Sequence, residues 1–153
     1  MKKIILFSLI CLGIIVCGYF IYYSQTVTEY YRVSIYPPTV YDSRPKVEIK
    51  QAPQYENDSL AIEAEEHIYY YMQERWEKSR RESMEKNHTN DDAVYRRFRD
   101  EHRSLIKIVH KRSFKVEKLQ EVVDEYGLHS YNVEKFCKDN DVDISIYTIL
   151  SKY

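Results

Sequence analysis

Five histidines and three cysteines are the side chains of this chain best suited to hold a metal or move a proton. His67, His88, His102, His110 and His129 are scattered, and no His-Glu-x-x-His pattern or zinc-spaced Cys–His set joins them. Glu63 and His67 are four apart, the spacing of neighbours on one helix face, and a single such pair reads as a surface contact. Cys11 and Cys17 fall in an apolar run, and Cys137 stands beside Phe136 as a small side chain suited to burial. No nucleophile elbow and no phosphate-cradling glycine loop occurs. The sequence therefore assigns no catalytic, cofactor-binding or metal-binding residue. The expectation is a protein that is not an enzyme and carries no cofactor.

Charge and aromatic residues offer binding chemistry instead. From Arg96 to Lys118 nine basic residues face three acidic ones, a net of +6, within a chain whose net charge is −1. Arg96, Arg99, Arg103, Lys107 and Lys111 would form one basic face, suited to anionic lipid, an acidic protein partner or an anionic envelope component. The competing reading is a solvated helix face balanced by the acidic segment near residues 58–85. Tyr69-Tyr70-Tyr71 points in too many directions for a helix to bury all three rings, so Tyr69 and Tyr70 are candidate exposed aromatics.

The sharpest local pattern is Leu119 to Lys138. Val122, Tyr126, Leu128, Val133 and Phe136 are spaced like the apolar positions of a helix-turn-helix, with Gly127 at the turn. The segment resembles that motif, and the resemblance implies DNA binding. Val123 departs from it, standing where the motif has a small residue. From 119 to 153 there are three basic and seven acidic residues, a net of −4, which opposes phosphate neutralisation. Nucleic acid is not an expected partner, and two packed helices with a glycine turn explain the pattern equally well.

What must position these groups begins at the N-terminus. Lys2 and Lys3 precede an uncharged run, Ile4 to Tyr23, long enough to cross a ~30 Å hydrocarbon core as a helix. Three readings fit residues 1–23: an uncleaved signal anchor, a cleaved signal peptide, or a lipoprotein acylated at Cys17. The length and the outer tyrosines favour the anchor. The lysines favour a cytoplasmic N-terminus, with the remainder outside the cytoplasm.

Residues 24–56 hold all four prolines, Pro37, Pro38, Pro45 and Pro53, and read as an extended juxtamembrane stalk. Val33–Tyr36 and Val47–Lys50 alternate like short strands, but the prolines argue against central strands. Residues 57–153 read as a small helical domain. Helices are expected over about Asp58–Lys86, Asp92–His110, Phe114–Tyr126, Ser130–Lys138 and Ile144–Lys152, with a loop at Asn87–Asp91. Ser59 is the expected cap of the first, and Leu60, Ala64, Ile68, Met72 and Trp76 its apolar face. The last helix has a rival reading as a terminal strand. The fold expected is mainly α: one membrane helix, a stalk and a helical domain. The function expected is binding, scaffolding or assembly at the membrane surface. The alternatives are a helix-turn-helix DNA-binding protein and an enzyme without a recognisable motif.

Overall fold

The computed structural model describes residues 2–36, 38, 40–41, 43–87 and 102–149. Its order is α1 (Lys2–Ser24), β1 (Thr26–Tyr36), β2 (Lys46–Gln51), α2 (Asp58–Asn87), β3 (His102–Lys111), α3 (Val116–Tyr126), α4 (Tyr131–Asp139) and β4 (Asp143–Thr148). The four strands form one antiparallel sheet in the order β2-β1-β3-β4. The domain is thus a mixed α and β fold, and the expected all-helical domain is corrected by this sheet.

Three misreadings have separate causes. The expected stalk contains β1 and β2, and β1 is a central strand paired on both sides. The rule that proline avoids central strands still holds, because no proline falls within either strand. Residues 102–110, expected in a helix, form β3. It too is central, paired along both edges, and a helix layer covers each face of the sheet, so apolar side chains occur on both of its sides, with Arg103 and Lys107 flanking Leu105 on one of them. Leu105, Ile106 and Ile108 are fully buried on opposite sides of the sheet. The expected C-terminal helix is instead the edge strand β4, which finds its partner in β3. The helices α2, α3 and α4 lie where periodicity places them.

The sheet has a helix layer on each side. Tyr31, Val33, Val47, Ile106 and Ile108 pack against Leu119, Val123, Val133 and Cys137 of α3 and α4. Tyr30 and Leu105, on the opposite face, pack with Ala61 and Tyr69 of α2. Gly127 ends α3 with φ +85° and ψ 152°, donating its N–H to the Val123 carbonyl at 2.8 Å. Asn57, rather than Ser59, caps α2: its Oδ1 accepts from Leu60 N–H at 3.0 Å. The outer edge of β2 is closed by Gln120 of α3, whose Oε1 accepts from Ile49 N–H and whose Nε2 donates to the Val47 carbonyl. A side-chain amide thereby stands in for a fifth strand at that edge.

No stalk separates α1 from the domain. Only Gln25 lies between α1 and β1, and Arg112 N–H donates to the Gln25 carbonyl at 3.1 Å. The Arg112 guanidinium stacks over the Tyr22 ring at 4.6 Å and donates to its hydroxyl at 3.1 Å.

Candidate functional site

The densest polar chemistry lies between α2 and the sheet. Because side chains alternate along a strand, Tyr30 and Arg32 of β1, Lys107 of β3 and Tyr147 of β4 all point to the α2 face. Asp58, in the first turn of α2, meets three of them. Its carboxylate accepts from Tyr30 Oη at 2.6 Å, Tyr147 Oη at 2.7 Å and Lys107 Nζ at 3.1 Å. Those bonds, led by Tyr147, hold the Asp58 carboxyl down at about 2. Burial, with Asp58 second, pushes the Tyr30 phenol up to about 12.

Two turns further along α2, Glu65 is buried at 5% exposure. Arg32 grips it bidentately, Nε to Oε2 at 2.6 Å and Nη2 to Oε1 at 2.9 Å. Tyr55 Oη adds a third bond at 2.6 Å. Burial and this bond push the Tyr55 phenol up to about 12. The α2 face turned to the sheet is therefore Asp58, Ala61, Glu65 and Tyr69, and the expected apolar stripe is displaced. Leu60 and Trp76 of that stripe are exposed. Acidic residues inside a helix read as solvated until Arg32 and Lys107 are placed opposite them.

The basic face assembles only in part, on a strand rather than a helix. Arg103, Lys107 and Lys111 share one side of β3, whereas Arg96 and Arg99 lie outside the described residues. Each of the three already engages a neighbour. Arg103 lies 5.2 Å over the Tyr69 ring, Lys107 pairs with Asp58, and Lys111 Nζ reaches Asp141 Oδ2 at 2.8 Å. Tyr69, expected exposed, is buried at 7% because Arg103 and the sheet cover it. Tyr70 is half-buried, and Tyr71 is the exposed ring of the three.

Comparison of the chain with protein-family models, curated proteins and solved structures finds no match. Among the described residues no group of three His, Cys, Asp or Glu side chains is placed to hold a metal ion. His110 is buried on the α3 side of the sheet, with Nε2 3.0 Å from Glu29 Oε2 and Nδ1 2.6 Å from the Lys111 carbonyl. Burial alone would raise the Glu29 carboxyl, but bonds from Tyr31 and His110 outweigh it and leave it below its ordinary value. Beside this trio a cleft of about 680 Å³ opens between the β1–β2 end of the sheet and the start of α3. Its walls include Tyr31, Ile49, Gln51, Phe114, Lys115 and Lys118. Sequence reasoning missed this cleft, because nothing in the sequence joins residues 29–51 to residues 114–118. The signal that could have found it is the alternation of Val33–Tyr36 and Val47–Lys50, taken as strands.

Proposed function

We propose that this chain is a single-pass membrane protein whose α/β domain serves a non-enzymatic binding or assembly role at the membrane surface. The carrying observation is the direct passage of α1, a helix long and apolar enough to cross a membrane, into the central strand β1. A domain joined through one residue and tied to Tyr22 by Arg112 sits against the bilayer rather than far above it. Lys2 and Lys3 favour a cytoplasmic N-terminus, which puts the domain on the outer side. Binding is favoured over catalysis because Asp58 and Glu65 each accept three hydrogen bonds from within the fold. Groups so saturated hold elements together.

The DNA-binding reading draws on α3, Gly127 and α4. It is the weaker one, since α3 and α4 use their apolar faces to cover the sheet. The exposed side of α4 balances Glu134 and Asp139 against Lys135 and Lys138, which gives phosphate little attraction.

Alkaline carbonate extraction of native membranes, with a topology reporter fused after Tyr153, tests the proposal. Retention in the pellet with a reporter active only outside the cytoplasm is expected. Release by carbonate, or a cytoplasmic reporter, overturns it.

A further inference from the structure

We propose that the outer edge of β4 pairs with the same edge of a second copy of this chain, making one sheet continuous across the two. The inference rests on the assembly role proposed above and gives it a partner and a surface.

Backbone direction is the first argument. β4 ends the order β2-β1-β3-β4, and among the described residues no strand pairs with its outer side. Ile149 N–H donates to the Arg103 carbonyl at 3.2 Å, so the alternate residues Tyr147, Ser145 and Asp143 also turn their backbone groups to β3. Ile144, Ile146 and Thr148 turn theirs outward. The opposite edge of the sheet is closed by Gln120, whereas β4 holds no lysine, no proline and no bulge in its register. Ile146 pairs with Ile106 and so lies on the α3–α4 side, where it is 39% exposed.

Register is the second argument. A two-fold axis perpendicular to the sheet pairs β4 with its copy antiparallel and keeps each helix layer on its own side. Residues opposite one another then share a face. Centred on Ile146, the axis sets Ile146 against its own counterpart and Ile144 against Thr148 on either side. All three outward residues are then bonded, and the two exposed isoleucines cover each other. Centring on Ser145 joins only Ile144 with Ile146, and centring on Tyr147 joins only Ile146 with Thr148. A second copy is favoured over an unrelated strand because it brings the same outward groups in matching register. A helix able to cross a membrane also concentrates copies in one bilayer. β1 and β4 run in the same direction, so the axis sets the two α1 junctions at opposite ends of the joined strands. Copies in one bilayer therefore meet with their strands lying along its surface.

The test uses the full chain, with Cys11→Ser and Cys17→Ser to remove the thiols of α1, in native membranes and in mild detergent. Ile146→Cys treated with dibromobimane, which bridges thiols a few ångströms apart, should give about tenfold more bridged dimer than Lys50→Cys on the opposite edge, in both settings. Equal bridging from the two positions overturns the proposal, as does bridging in detergent that disappears in membranes. Without these added cysteines the chain in detergent should sediment as a dimer, and a monomer overturns the proposal. Ile146→Lys and Ile146→Pro should each return it to the monomer, the proline by removing an N–H that β3 does not use. In the dimer the amides of Ile144, Ile146 and Thr148 should resist hydrogen exchange, and in the monomeric variants Ile144 and Thr148 should exchange freely. Protection that persists there in a monomer means that another part of the chain covers the edge, and the inference falls. A variant that has unfolded loses protection at Ile106 and Ile108, and the bridging and the parent's mass then decide. Release of the chain by carbonate refutes the anchored reading alone, and the dimer in detergent still decides the edge.

Discussion

Asp58 shows how one side chain joins four elements. The carboxylate sits on α2, and its donors come from β1, β3 and β4. Its pKa is depressed in the folded state, from 3.8 to about 2, so the fold prefers the ion. The stability this brings is complete above 3.8 and is lost as pH falls from there through about 2. Because the side chain is 36% exposed, water screens part of the gain. Asp58→Asn should cost about 1–2 kcal/mol near neutral pH. The mutant should also lose the component of acid destabilisation specific to that window, which denaturant melts across it would reveal. A mutant with the parent's acid slope would mean that Asp58 is not held ionised by these donors.

Glu65 obeys a different rule because it is buried. Glu65→Ala leaves the Arg32 guanidinium and the Tyr55 hydroxyl without their acceptor; the Arg32 side chain is 38% exposed, so water screens part of the loss and the cost should be about 1–2 kcal/mol. Replacing both partners, Arg32→Met with Glu65→Leu, should recover much of that loss, since two apolar side chains need no partner. Melts of the single and double variants decide it, and a double variant no better than the single would assign the loss to packing.

At the scale of elements, legibility followed the range of the interactions that decide each element. The three soluble helices are set by local periodicity and by turn residues, and they were readable. A glycine that ends a helix commonly takes the left-handed helical conformation, and the φ of Gly127 is positive. Its ψ of 152°, however, takes it beyond the left-handed helical region into one that essentially only glycine occupies. Nothing stands within 4 Å of where a Cβ would be, so any cost is backbone strain rather than a clash. Gly127→Ala and Gly127→Asn should therefore destabilise alike, by about 1–3 kcal/mol, although asparagine usually tolerates left-handed turns. An asparagine variant as stable as the parent would refute the assigned ψ. The strands were less legible because each depends on a remote partner. β1 pairs with β3 across 67 to 85 positions, as in Ile35 with His102 and Thr26 with Lys111. Residues 102–110 carry apolar side chains on both faces, and that pattern looks helical until a second layer is supplied. The candidate site inherits the same limit. Asp58, Arg32, Glu65 and Lys107 were each visible as charges, but their meeting depends on the register of β1 against β3 and on α2 packing over both.

For the whole molecule, the sheet redraws the unit that folds. A domain beginning at residue 57 would lack β1, the strand that joins β2 to β3, along with β2 itself. It would leave one backbone edge of β3 unpaired and remove Tyr30, Tyr31 and Val33 from beside Leu105, Ile106 and Ile108. It would also leave Glu65 without Arg32, and Asp58 without Tyr30. A fragment of residues 25–153 keeps all four strands and all three soluble helices. It omits only α1, whose residues make few contacts with the rest beyond those of Tyr22 and Gln25 with Arg112 and its neighbours. The 25–153 fragment should therefore give a mixed helix and strand circular dichroism spectrum and unfold cooperatively in denaturant. The 55–153 fragment should show residual helix, no cooperative transition and a tendency to aggregate through the uncovered edge of β3. Cooperative unfolding of the shorter fragment would mean that β1 is dispensable to the core. That result would restore a domain boundary after Pro53, with residues 24–56 again a connector between membrane and domain.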